Sequence, residues 1–274
     1  MTSDLGFKYS ILASGSTGNS FYLETPEKKI LVDAGLSGKK ITSLLAEIDR
    51  DPSDLDAILV THEHKDHIHG VGVLARKYGM DIYANEKTWQ IMDSKNMLGK
   101  IDNTQKHVFS RDKLLTFGDI DIESFGVSHD AIDPQFYRFM KDGKSFVMLT
   151  DTGYVSDRMA GIIENADGYL IESNHDVESL CSGPYPYYLK QRILGLQGHL
   201  CNEDAAQFAV TLAENGASDI VLAHLSRDNN TPTMALNAVA AALDGAGLAP
   251  ELSVAPRDTV GPCHIVRRRA LCKR

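Results

Sequence analysis

Three histidines and an aspartate are crowded into His62-Glu63-His64-Lys65-Asp66-His67, directly after the apolar run Ala57-Ile58-Leu59-Val60. Neutral imidazole and ionised carboxylate are first-choice ligands for divalent zinc, manganese or iron, and burying such groups together is costly without a cation. A strand that delivers them to one loop therefore reads as part of a metal site. The plain alternative is a solvated histidine-rich loop. Further candidates stand where an apolar run hands over to a loop: Asp33 after Ile30-Leu31-Val32, His129 after Phe125-Gly126-Val127, Asp151 after Val147-Met148-Leu149-Thr150, and His224 after Ile220-Val221-Leu222-Ala223. Strand ends are rigid, so ligands from separate strands can meet at one sheet edge without loop entropy loosening them. For Asp33 taken alone, a turn or helix-cap role stays open.

The elements that must position these groups are readable in outline. Residues 9–13, 21–23 and 29–33 read as strands separated by turn residues, and Ile41, Leu44, Leu45 and Ile48 recur at helical spacing. A strand over 58–60 precedes a second helix carrying Val71, Leu74 and Ala75. Strands are predicted over 113–117 and 120–125, and a hairpin pairs 136–140 with 145–149 around Asp142-Gly143. Residues 169–172 and 220–223 are short buried-type strands, and 203–214 and 233–243 are helices. So many strands, with helices in both halves, predict two packed sheets flanked by helices.

At 274 residues and 43% hydrophobic, the chain is ordinary for one α/β domain spanning 1–274, with no linker or repeat. Four cysteines without close spacing and the opening Met1-Thr2-Ser3-Asp4 argue against a disulfide framework or a secretory signal, so a cytoplasmic protein is expected. No run approaches the ~20 apolar residues that span a bilayer, so no membrane is expected among its partners. A net charge of −9 opposes nonspecific attraction to polyanions but leaves room for a local basic groove. Two clusters are candidates: Lys190 and Arg192 near Tyr185, Tyr187 and Tyr188, and Arg267, Arg268, Arg269, Lys273 and Arg274 at the C-terminus. Each reads equally as a solvated face or a fraying tail.

The His-x-His-x-Asp-His run with later His, Asp and His resembles the metallo-β-lactamase fold superfamily over nearly the whole length. That resemblance implies an α/β, four-layer αββα sandwich. It puts His62, His64 and His129 on a first metal, Asp66, His67 and His224 on a second, and Asp151 between them, with Asp33 supporting the loop from behind. Two divalent ions sharing a water lower its pKa toward neutrality, so hydroxide is available at pH 7. Asp66 could also orient that hydroxide. His69 falls beside the motif as a surface or supporting residue.

Substrate class is sought in the second half. Glu172-Ser173-Asn174-His175 follows a strand, Gly198-His199-Leu200-Cys201-Asn202 leads into a helix, and His224-Leu225-Ser226 comes last. That order resembles the phosphodiesterase branch, which implies that His199, paired with Glu172, stabilises charge or protonates the leaving oxygen. Capping or packing for His199, and an ion pair to Lys or Arg for Glu172, are the alternatives. Together with Leu12-Ala13-Ser14-Gly15-Ser16-Thr17-Gly18-Asn19-Ser20, these motifs resemble the bacterial YycJ/WalJ exonuclease group, with Cys201 where serine is more typical. The resemblance implies DNA as substrate, degraded 5′ to 3′. The loop with Ser14, Ser16 and Asn19 could hold a phosphate or be a simple turn, and Asn174 and His175 are candidate substrate contacts. No long insertion separates Glu172 from His199, so the β-CASP cap is absent. Residues 176–191 are expected to form a loop over the site, where tyrosines could stack on an unpaired terminal base or simply pack. Two other functions stay open: hydrolysis of a small cyclic phosphodiester or other metabolite, and a regulatory binding protein stabilised by metal. Protein partners are not specified.

Overall fold

The computed structural model describes residues 6–268; Met1-Thr2-Ser3-Asp4, and the basic cluster's Arg269, Lys273 and Arg274 with Cys272, lie outside the described residues. The chain divides into two compact units. The first takes the residues up to Gly126 with Ala131–Gln135 and Pro256–Ile265, and the second takes Val127–Asp130, Phe136–Ala255 and the residues from Val266.

In the first unit, β1 (Lys8–Ala13), β2 (Ser20–Glu24), β3 (Lys29–Val32), β4 (Ala57–Leu59), β5 (Asp81–Ala84) and β6 (Lys106–Val108) lie side by side in that order, with His264–Ile265 on the outer edge of β1. The pairings among β1, β2 and β3 are antiparallel, and those from β3 to β6 are parallel. Parallel neighbours need crossovers, supplied here by α1 (Gly38–Glu47), α2 (Lys65–Ile68), α3 (Val71–Tyr78) and α4 (Glu86–Ser94). Ile41, Leu44 and Leu45 of α1 and Val71, Leu74 and Ala75 of α3 bury their apolar stripes in one cluster with Leu31, Ile58 and Ile82 of the sheet. The register Val32↔Leu59 brings the ends of β3 and β4 out together, which places Asp33 beside the histidine loop. Two further strands, β7 (Leu114–Phe117) and β8 (Ile120–Gly126), form an antiparallel hairpin.

In the second unit, β9 (Gln135–Lys141) and β10 (Lys144–Leu149) form the expected hairpin. Its turn residues Asp142 and Gly143 take φ of 51° and 71°, as a two-residue type I′ turn requires. Beyond β10 come β11 (Gly168–Glu172), β12 (Asp219–Ala223) and β13 (Glu251–Val254), all parallel to their neighbours. Asp151, Glu172 and His224 therefore stand at the C-terminal ends of three adjacent parallel strands. α5 (Asp157–Ile163) links β10 to β11, and α8 (Asn202–Glu214) and α9 (Pro232–Gly245) fall close to their expected bounds. One expectation fails. Residues 176–191 are not a loop but carry α6 (Val177–Ser182), capped by Asp176, and most of α7 (Tyr187–Leu194). No residue of α7 is fully buried, and the Gly- and Pro-containing stretch 183–186 before it is what reads as loop. Among the described residues, no helix is long and apolar enough to cross a membrane.

A buried charge cluster ties β2 to the end of α1. Arg50 binds Glu24 through Nε at 2.6 Å and Nη2 at 2.7 Å, while the Tyr22 hydroxyl donates to Glu24 at 2.8 Å. Burial pushes the Glu24 carboxyl up, but the bonds from Arg50 and Tyr22 outweigh it and bring it down to about 2. A carboxyl that is more acidic in the folded state adds stability above its unfolded pKa. That stability, on the order of 3 kcal/mol, is lost as pH falls from about 4.5 toward 2. Urea unfolding across this window should show the loss in the native chain, and a flatter profile in Glu24→Gln.

Candidate metal centre

In the first unit, the chain leaves β3 at Asp33 with φ of 60°, a left-handed backbone that costs a residue with a Cβ about 1–3 kcal/mol. The turn sends a fully buried carboxylate back under the histidine loop. There it accepts from Thr61 N at 2.9 Å, Thr61 Oγ1 at 2.8 Å and His67 Nδ1 at 2.7 Å. Burial raises the Asp33 carboxyl above its usual range, against the opposing pull of His67. Because a carboxylate only accepts, the His67 hydrogen sits on Nδ1 and its lone pair on Nε2. By the same logic the Thr61 hydroxyl is spent on Asp33, so His62 Nδ1, 3.0 Å away, donates to it. The His62 lone pair on Nε2 then faces His64 Nδ1 at 3.1 Å.

Asn19 completes this set. Its Nδ2 lies 3.3 Å from Asp66 Oδ2 and 3.1 Å from His67 Nε2, while its Oδ1 accepts from Gly15 N at 2.9 Å. The glycine-serine loop is thereby stitched to the histidine loop, and backbone bonds from Asn19 N to Asp66 O at 2.8 Å and from Gly35 N to Asn19 O at 2.9 Å tighten the seam. Gly35 is required there, since a Cβ would lie 1.6 Å from Asp66 O. Gly35→Ala is expected to destabilise the fold by about 3 kcal/mol, the upper end for forced overpacking, and to weaken metal retention. Thermal unfolding and metal titration check both.

In the second unit, Asp151 and His224 also leave their strands with left-handed backbones, at φ of 51° and 55°. Glu172, fully buried at the end of β11, organises what lies around it. Its Oε1 accepts from His199 Nδ1 and from His224 Nδ1, each at 2.7 Å, and its Oε2 from Thr152 N at 3.0 Å and Leu200 N at 3.3 Å. Burial pushes the carboxyl up, but the two imidazoles hold it well below the ordinary carboxylate range. Asp151 Oδ1 lies 3.3 Å from His224 Nδ1 and 3.9 Å from His129 Nε2. His129 packs its ring 5.2 Å from that of His199, and its Nδ1 is 3.3 Å from Gly198 O.

The donors fit divalent cations. Side-chain oxygens and nitrogens of Asp151, Glu172, His199 and His224 all lie within 4.8 Å of one another, with Asp151 and His224 the candidate ligands and Glu172 and His199 their neighbours. In the first set, two imidazole nitrogens 3.1 Å apart are close to the ~3.3 Å spacing of neighbouring ligands on one tetrahedral ion. Nearly every candidate imidazole has its Nδ1 held by a carboxylate, hydroxyl or backbone carbonyl, the outer support that orients a metal-binding ring.

The candidate substrate contacts are placed variously. Ser14 is buried and Ser16 exposed. Asn174 is buried, its amide donating to His224 O at 2.8 Å, so it braces the strand end. His175 is buried too, its Nε2 without a hydrogen-bond partner, and burial lowers its pKa. His69 is exposed. Tyr185 donates to Asp228 at 2.6 Å, while Tyr187 and Tyr188 are exposed on α7. Two organisers escaped the sequence: Thr61, whose signal was a lone hydroxyl between strand and histidine, and Glu63, whose carboxylate accepts from Ile132 N at 2.9 Å.

The sequence profile of the beta-lactamase superfamily domain matches residues 28–225. Exodeoxyribonuclease WalJ of Streptococcus pneumoniae is 72% identical over 233 residues, covering 85% of this chain and 87% of that protein. Exodeoxyribonuclease YycJ of Bacillus anthracis is 51% identical over 243 residues, covering 89% and 91%. The solved metallo-β-lactamase fold protein YhfI from Bacillus subtilis shares 19% identity with a TM-score of 0.70 over 93% of this chain and 99% of its own, a likeness of fold alone.

Proposed function

Because the chain belongs to the beta-lactamase superfamily and, within it, to the group of the WalJ and YycJ proteins, we propose that it is a metal-dependent exodeoxyribonuclease that degrades DNA from 5′ ends. Residues 1–274 act as one domain in this reading, and the reducing cytoplasm assigned to it suits the free thiols of Cys181, Cys201 and Cys263. As the resemblance implies, His62, His64 and His129 would hold one ion and Asp66, His67 and His224 a second, with Asp151 serving both. Zinc, manganese and iron all suit these donors. Bound there, divalent ions supply Lewis acidity toward water and the scissile phosphate.

The side chains supply the rest. Asp33 and Thr61 fix the rings of His62 and His67. Asn19 steadies Asp66, whose carboxylate accepts a hydrogen bond from the attacking oxygen and orients it. Ser16, exposed in the glycine-serine loop, faces the phosphate, and the buried Ser14 supports that loop. Glu172 fixes His199 through Nδ1, which turns Nε2 toward the leaving oxygen to deliver a proton. Asn174 and His175 brace this second set from behind. The observation that carries the reading is the single buried carboxylate of Glu172 at 2.7 Å from both His199 and His224, tying a candidate ligand to a candidate acid.

The test compares 5′-labelled duplex DNA with cyclic nucleotides as substrates. Metal-dependent release of 5′-terminal nucleotides is expected. Turnover of cyclic nucleotides alone would instead favour the small phosphodiester, and a biological role that survives His199→Ala would favour the regulatory protein.

A further inference from the structure

A cavity of about 640 Å³ opens in the second unit, lined by Ser128, Asp130, Tyr154, Arg192 and Leu196 among others. It lies beside the ligand set. Ser128 and Asp130 flank His129, Tyr154 follows Asp151 by three residues, and Leu196 precedes His199 by three. The same three segments thus carry the candidate chemistry and the cavity wall.

The wall is built. Gly153 N donates to Ser128 O at 2.9 Å, and the Ser128 hydroxyl donates to Leu196 O at 2.7 Å. A Cβ on Gly153 would lie 2.3 Å from Leu196 O, so only glycine lets the three segments close together. Arg192, on the exposed α7, is tied through Nε to Asp130, the neighbour of His129. Upon this frame two large apolar side chains stand out to solvent, Tyr154 at 43% and Leu196 at 73% exposure. The volume lies within the range of small-ligand sites, about 300–1,000 Å³. An aromatic face, an apolar partner and a planar cation are what a nucleobase and its phosphate recognise.

We propose that this cavity receives the 5′-terminal nucleoside of the DNA strand, its base stacked on Tyr154 and its phosphate facing Arg192, so that the next phosphodiester falls at the metal ligands. The inference rests on the exonuclease reading. A strand engaged this way is measured from its end, and cleavage proceeds one nucleotide at a time.

The experiment measures release of the first nucleotide from duplexes with a normal or an abasic 5′-terminal residue, using native chain, Tyr154→Ala, Tyr154→Phe and Leu196→Ala. Both Tyr154 and Leu196 are surface-exposed, so the folds should survive, and thermal unfolding confirms it. Tyr154→Ala is expected to raise KM about tenfold with little change in kcat, while Tyr154→Phe stays near native and Leu196→Ala shifts KM in the same direction. An abasic end should cost the native enzyme the same factor and Tyr154→Ala nothing further, the coupling of two groups in contact. If the native chain releases nucleotides but Tyr154→Ala is unaffected, or if the two losses simply multiply, the cavity is not the terminal-base site and the exonuclease reading stands. If the native chain releases none from DNA, both fall together.

Discussion

Glu172→Gln should lower kcat/KM on duplex DNA by about a thousandfold, combining a loss of supporting contact to a ligand, ~10–100-fold, with part of the ~10²–10⁴-fold of an acid. The change is nearly isosteric, so packing is spared. Chemistry is not: the native carboxylate accepts from four donors, His199 Nδ1, His224 Nδ1, Thr152 N and Leu200 N. An amide offers one accepting oxygen and sets its own N–H groups against the remaining donors. Either two backbone amides or two imidazoles must then turn away, at about 1–3 kcal/mol for each buried group left unmatched. Single-turnover kinetics and metal titration would both register the change. Activity within threefold of native would mean that Glu172 is merely structural.

Asp33→Ala is expected to be the most damaging single change in the first unit, costing about 3–5 kcal/mol. It strips the acceptor from three buried donors and releases the ring of His67 at once. Asp33→Asn should be intermediate. Asparagine tolerates the left-handed backbone and keeps one carbonyl oxygen for Thr61, but its amide opposes the His67 Nδ1 hydrogen. Urea unfolding, read beside metal affinity, separates the two variants. Equal stability of Asp33→Ala and native chain would show that the carboxylate does not organise the loop.

The α/β metallo-β-lactamase fold expected from the motifs is the one present. Much of the local placement was legible because ligands sit at strand ends: an apolar run followed by Asp or His marks the handover without knowledge of the partner strand. The pairing of Asp33 with the histidine loop came only through the family resemblance, since locally it depends on the parallel register of β3 on β4. The three left-handed turns were equally hidden. Aspartate tolerates that backbone, but nothing local marks His224 for it, and its contacts with Glu172 and Asn174 account for the position. The glycine-serine loop illustrates the remaining gap. Its composition suggested phosphate binding, whereas its geometry first shows Asn19 fastening it to Asp66 and His67. α7 escaped notice because the Gly- and Pro-containing stretch 183–186 just before it reads as loop, and the reading carried on through residue 191.

The most direct measurement counts divalent ions per chain by elemental analysis while following release of 5′-terminal nucleotides from duplex DNA, before chelation, after it, and after metal is restored. Two ions per chain in the active protein, loss of both ions and activity on chelation, and recovery of both on restoration are the expected result. Nucleotide release that persists in the fully chelated chain would contradict the account.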